Sequence, residues 1–248
     1  MIDMNVIQWS GLSPEEQRRL LRRPVFDNEG LGESVSRILE RVRTGGDAAL
    51  LELTRELDGR EPGSFRLSQE QLDAAVTSTD PQLLEAVADA SERIRTFHTA
   101  DMPRPKTVET APGLTCEVRY DPLSPVGLYI PGGSAPLIST VLMLAIPAVQ
   151  AGCEDIVLCS PPGSDGNIPA SILAAARLCG VTSVFCAGGA QAIGAMAYGT
   201  ETVPQVDKIV GPGNLFVTLA KQQVYGVVGI DSLAGPTETL IIADSSAN

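Results

Sequence analysis

Four glycine-rich turns carry the residues whose types and spacing could do chemistry. They are Tyr129-Ile130-Pro131-Gly132-Gly133-Ser134, Gly188-Gly189-Ala190-Gln191, Gly211-Pro212-Gly213-Asn214 and Ala234-Gly235-Pro236-Thr237-Glu238. Glycine lets a backbone approach a ligand closely, and the amides that open a helix attract anionic groups. Each turn also places one hydroxyl or amide side chain at its tip: Tyr129, Gln191, Asn214 and Thr237. Such groups can both donate and accept hydrogen bonds, which suits a nucleotide or a small polar metabolite. Taken singly, each turn could merely join a strand to a helix, with Gln or Asn as a cap. Four of them on one sheet edge argue for a binding site.

Other chemistries have less to work with. His98 is the one histidine, which excludes an HExxH zinc site and leaves little room for a Ser-His-Asp triad. It follows Phe97 at a helix end, where capping or packing is the commoner role. The five cysteines (Cys116, Cys153, Cys159, Cys179 and Cys186) are odd in number and lack CxxC spacing, so they read as reduced, mostly buried thiols. Glu117 and Glu238 could act as bases, but no desolvating pocket is identifiable for either. No GxGxxG fingerprint is present, so an ordinary dinucleotide-binding dehydrogenase does not follow from pattern alone.

The elements that must position these turns are legible as a change of rhythm. From Met1 to Pro125 there are 15 basic and 22 acidic residues; from Val126 to Asn248 there are 3 and 8, with 16 of the 24 glycines. The first half reads as solvent-facing helices. Ser13-Pro14-Glu15-Glu16, Ser68 with Gln71, and Asp80-Pro81 mark helix starts, and Gly45-Gly46 an interruption between Val35 and Leu57. Met102 to Pro112 reads as a connector and Leu114 to Tyr120 as a half-exposed strand. After Pro125, strands at 126–130, 155–159, 183–186, 208–210 and 227–230 alternate with helices at 138–151, 168–179, 191–198 and 214–225. Alternation of this kind predicts βαβ units and a parallel sheet covered on both faces. A last strand is expected at Thr239 to Ala243, after which the chain stops without a cap or polar tail, as a truncated form would.

Composition sets outer limits. With 44% hydrophobic and 19% charged residues the chain is that of a soluble globular protein, and a net charge of -12 argues against nucleic acid and anionic membranes as partners. Met1 to Ser10 shows no secretory signal, and the apolar run Val141 to Val149 contains Pro147 and is too short to span a bilayer. A cytoplasmic location is expected.

Several separated stretches closely resemble the histidinol dehydrogenase family. They are Val126-Gly127-Leu128-Tyr129-Ile130-Pro131-Gly132-Gly133, Ser139-Thr140-Val141-Leu142-Met143, Gly188-Gly189-Ala190-Gln191-Ala192-Ile193, Lys208-Ile209-Val210-Gly211-Pro212-Gly213-Asn214 and Ala234-Gly235-Pro236-Thr237-Glu238. Order and spacing match the family, as do Thr44-Gly45-Gly46-Asp47-Ala48-Ala49 and the Phe97-His98 pair. The resemblance implies oxidation of L-histidinol to L-histidine in histidine biosynthesis, through two hydride transfers to NAD, with zinc as a second cofactor. It implies an α/β fold like that of aldehyde dehydrogenases, with incomplete Rossmann-like parallel sheets preceded by amino-terminal helices, in a homodimer. On that layout residues 1–128 form the helical start and first domain, 129–237 the second domain with the NAD-binding turns, and 238–248 return to the first. Carried over residue by residue, Tyr129, Gln191 and Asn214 contact NAD and Thr237 contacts the substrate. The family usually has serine in place of Thr237; threonine keeps the hydroxyl and adds a methyl.

Length is where the chain departs from the family, whose members run to well over four hundred residues. The family's zinc ligands and Glu-His catalytic pair come after the Ala-Gly-Pro-Ser-Glu motif, so the resemblance places no catalytic residue and no metal ligand in this chain. Acting alone, it is expected to be inactive. Two further readings stand beside the enzyme: a catalytically silent nucleotide-binding or interaction module, and a thiol-dependent aldehyde dehydrogenase using Cys153 or another cysteine.

Overall fold

The computed structural model describes residues 6–22, 29–60, 62–133, 135–233 and 240–247. Local chemistry sets the amino-terminal helices. Helix α1 (Pro14–Leu20) starts at a reciprocal cap: Glu16 N–H donates to Ser13 Oγ at 3.3 Å, and Ser13 N–H to the Glu16 carboxylate at 2.8 Å. Helix α2 (Glu29–Leu53) is two helical stretches joined across a kink, and the interruption expected at Gly45-Gly46 is there. Gly46 adopts φ 53°, and the Asp47 N–H freed there donates to the Glu201 carboxylate at 2.7 Å. A π-helical turn (Thr54–Asp58) follows and stops at Gly59, φ 63°. Helix α3 (Gln69–Ser78) opens on the Ser68–Gln71 capping box, and α4 (Pro81–Ala100) on Asp80 with proline at its first position.

Residues Lys106–Ala111, expected as a connector, are strand β1, paired antiparallel with β2 (Leu114–Val118). The Pro112-Gly113 dipeptide reverses the chain, with Gly113 at φ 77°, and that turn chemistry outweighs the prolines before it. Both strands are exposed along their whole length, so the alternation in β2 faces no core among the described residues.

The second half forms one parallel sheet from β3 (Val126–Tyr129), β4 (Ile156–Ser160), β5 (Ser183–Cys186), β6 (Lys208–Val210) and β7 (Gly229–Ile230), in the order β5-β4-β3-β6-β7. Helices α5 (Ile138–Gln150), α6 (Ala170–Leu178), α7 (Gly189–Tyr198) and α8 (Leu215–Val224) make the crossovers. Parallel strands need cover on both faces. One face buries Val157, Phe185 and Ile209 with Leu39, Val42 and Leu50 of α2 and Ile193 and Met196 of α7. The other buries Leu128, Leu158 and Val184 with Ile146 of α5, Ile172 of α6 and Leu72 of α3. Each fully buried Leu, Ile or Phe contributes about 1.5–3 kcal/mol. Helices α2, α3 and α4 therefore present charge outward while their apolar faces complete the two cores.

The strand expected at Thr239 to Ala243 is absent from the part described: residues 240–243 pair with nothing, and Leu240, Ile241 and Ile242 are 84%, 82% and 89% exposed. An apolar run becomes a strand only against a neighbour, and none of the described residues pairs with this one. Among the described residues no helix is long and apolar enough to cross a membrane.

Candidate functional site

The chain runs from β3 outward to β4 and β5, then returns to lay β6 on the other side of β3. In such sheets the crevice beyond the carboxyl ends of the strands, at the point of reversal, is where ligands bind. The turns after β3 and β6 meet at that point. A Cβ on Gly211, which has φ 132°, would lie 2.2 Å from the Tyr129 carbonyl oxygen. Only glycine permits that approach.

Pro161, which follows β4, wedges between the flanking turns. A Cβ on Gly132 would come within 2.6 Å of the Pro161 ring, and one on Gly188 within 2.3 Å. Beside this wedge lies a cleft of about 230 Å³ lined by Pro131, Gly133, Pro136, Pro161, Ser164 and Ile172.

Tyr129 ends β3 and is 3% exposed; its hydroxyl oxygen accepts the Gly189 N–H at 3.0 Å. Burial pushes the phenol up to about 12, the Gly189 hydrogen bond opposing only in part, so it stays protonated at neutral pH. Gln191, in the first turn of α7, is 1% exposed. Its Nε2 donates to Asp58 Oδ2 at 3.1 Å, and its Oε1 is buried without a partner among the described residues. Burial raises the half-buried Asp58 carboxyl above its ordinary value, and the hydrogen bond from Gln191 offsets only part of that.

Asn214 lies on the neighbouring turn and caps α8: its Oδ1 accepts the Val217 N–H at 3.1 Å. Its Nδ2 has no partner among the described residues, so a donor remains available. The sheet thus brings Tyr129 and Gln191 to one turn, and sets Asn214 on the same edge without a contact to either. Thr237 and Glu238 lie outside the described residues.

Three residues at this edge were not singled out by sequence. Asp58 approaches Gln191 across 133 positions, and no local signal marks it. Lys221 is 2% exposed, pairs with Asp231, and donates to the Gly211 carbonyl at 2.9 Å, while Asp231 accepts the Gly211 N–H at 2.8 Å. Both peptide groups of the Gly211 turn are held by this pair. One signal was there to read: a lysine on the apolar face of α8, in register with Val217 and Val224.

The thiol reading loses ground here. Burial pushes Cys159 and Cys186 up to about 12 and Cys179 up to about 11, and raises Cys153, the reverse of what a nucleophilic thiolate needs. All five cysteines are free, and Cys116 is exposed on β2. His98 sits in the last turn of α4, edge-on to Phe97 with ring centroids 5.5 Å apart, and Glu117 is exposed on β2. Among the described residues no group of three or more His, Cys, Asp or Glu could hold a metal ion.

Comparison with known proteins gives the family. The sequence model of the histidinol dehydrogenase family matches residues 21–248. A histidinol dehydrogenase of Xylella fastidiosa (strain 9a5c) is 50% identical over 248 residues, which cover 99% of this chain and 58% of that protein. One from Idiomarina loihiensis is 51% identical over 245 residues, 97% of this chain and 55% of that protein. The crystal structure of histidinol dehydrogenase from Elizabethkingia anophelis superposes with a TM-score of 0.86 at 43% identity, covering 96% of this chain and 55% of that one. The chain therefore spans a little over half the length of these relatives.

Proposed function

The chain belongs to the histidinol dehydrogenase family, and we propose that it forms the NAD-binding part of an enzyme oxidising L-histidinol to L-histidine in histidine biosynthesis. One observation supports this most: a buried, unpartnered Gln191 Oε1 beside the protonated Tyr129 hydroxyl, at the reversal point of a parallel sheet. An orphaned buried acceptor costs about 1–3 kcal/mol, a cost that a bound nucleotide would remove. The glycines at 132, 188 and 211 let Pro161 and the turns of this edge close on one another, and Gly133 has nothing within 4 Å of its Cβ position, room that phosphates or sugars of a nucleotide can use.

NAD, when bound, supplies the hydride acceptor. An alcohol taken to a carboxylate gives up four electrons and takes up one water, so each histidinol reduces two NAD. In this part of the reaction the chain's own residues hold and orient. Tyr129 donates its hydroxyl proton, Gln191 accepts through Oε1, and Asn214 donates through Nδ2 while its Oδ1 keeps α8 capped. Thr237 offers its hydroxyl to the substrate. Zinc is the family's second cofactor; the described residues do not fit a metal ion, and no step is assigned to it. The same reading includes an aldehyde-dehydrogenase-like pair of domains, 1–128 with 238–248 and 129–237, a homodimer, and a cytoplasmic location.

Calorimetric titration of the chain with NAD tests this. Gln191→Ala is expected to weaken binding about tenfold to a hundredfold, the cost of losing one buried hydrogen-bond partner. Asn214→Asp keeps the capping oxygen and loses the Nδ2 donor, so affinity should fall while thermal stability holds. Variants that bind NAD as the unmodified chain does would contradict the assignment.

A further inference from the structure

Gln191 can face a ligand with either end of its amide, and one neighbour decides which. Nε2 donates to Asp58 Oδ2 at 3.1 Å, and an ionised carboxylate accepts but cannot donate. Asp58 therefore takes the NH₂ end and leaves Oε1 bare, buried against the Gly188-Gly189 turn, where a Cβ on Gly189 would come within 2.5 Å of it. That same glycine donates its N–H to the Tyr129 hydroxyl oxygen. The phenol's own proton has no acceptor among the described residues. A free donor and a free acceptor thus flank one turn.

We infer that Asp58 is a positioning residue for nucleotide binding: by taking Nε2 it fixes Gln191 as a hydrogen-bond acceptor beside the Tyr129 donor, a pair complementary to a hydroxyl group on the ligand. A hydroxyl can accept from Tyr129 and donate to Gln191 at once; a reversed amide would present two donors and lose that match. Asp58 is set for this task by the π-helical turn that ends at Gly59. The inference rests on the NAD reading and adds to it what fixes the polarity of its central contact.

The test is NAD titration of the 248-residue chain and its variants, with thermal melting read alongside. Asp58→Ala frees the amide to turn over and is expected to weaken NAD about five- to tenfold, one hydrogen bond's worth. Asp58→Asn keeps an oxygen able to accept from Nε2 and should restore affinity to within about twofold. Asp58→Leu keeps the same branched outline, in a bulkier form, without an acceptor and should bind as poorly as Asp58→Ala, which covers the case of an alanine variant that does not fold. In a Gln191→Ala background, Asp58→Leu should cost nothing more. Unchanged binding in Asp58→Leu, equal losses in the Asn and Leu variants, or a further loss in the Gln191→Ala background would each overturn the role. If the unmodified chain binds no NAD, the nucleotide reading itself falls and the role of Asp58 goes with it.

Discussion

Replacing Asp231 by alanine is expected to cost about 3–5 kcal/mol of folding stability, the usual penalty for stranding one partner of a buried ion pair. Lys221 is 2% exposed, and its ammonium has two partners, Asp231 and the Gly211 carbonyl. Removing Asp231 leaves that charge with one neutral acceptor, the Gly211 carbonyl. Lys221→Met should cost less, because Asp231 is 31% exposed and can still be solvated. The order of the two variants in denaturant unfolding is therefore part of the expected result. pH dependence follows from the same group. Burial alone would raise the Asp231 carboxyl, but the Gly211 N–H, Lys221 and the Ser232 N–H outweigh it and hold the group below its ordinary 3.8. A carboxyl depressed in the folded state adds stability that is complete above the unfolded value and drains away as pH falls through the folded one. The gap between the unmodified chain and Asp231→Ala should thus be flat above about pH 5 and close in stronger acid. A gap that widens on acidification, or Lys221→Met as the worse variant, would contradict this.

Gly211→Ala carries the second large effect. The glycine has φ 132°, outside the range alanine adopts, and the added methyl would stand 2.2 Å from the Tyr129 carbonyl oxygen and 3.1 Å from its carbon. Backbone strain of that kind costs about 1–3 kcal/mol, and a clash with backbone adds to it because no side chain can swing away. A total of about 3 kcal/mol or more is expected, with loss of NAD binding, since the β3 and β6 turns can no longer close on each other. Gly226 is the control. It too has a positive φ, 99°, but nothing lies within 4 Å of its Cβ position, so Gly226→Ala should pay strain alone. Equal costs at the two sites would show that the close approach to Tyr129 is not what the fold requires.

Most of the elements were legible because their signals are local. Serine, aspartate and proline at helix starts, and glycine-rich turns punctuating short apolar runs, act within a few residues of themselves. The hairpin β1–β2 was half seen: its Pro112-Gly113 turn is a local signal, but the prolines before it argued for a connector. The apolar residues at 240–243 misled for the opposite reason, since their pattern suits a strand and strand formation depends on a neighbour that pattern does not contain. At the candidate site, Tyr129, Gln191 and Asn214 stood out because each lies in a glycine-rich turn. Asp58 did not, because what makes it matter is a contact with Gln191 across 133 positions. Lys221 lay between these cases, a charge on an apolar helix face whose partner, Asp231, only the sheet brings near.

The central claim is that NAD binds at the edge where the β3, β5 and β6 turns converge. Backbone amide shifts of the chain, recorded by NMR as NAD is added, test it most directly. The account predicts that the largest changes fall on Tyr129, Gly189, Gln191 and Asn214, with the Gln191 side-chain amide among them. Changes confined to the separate cleft of about 530 Å³ lined by Ser64, Gln71, Asp165 and Asn167, with those four residues unmoved, would contradict it.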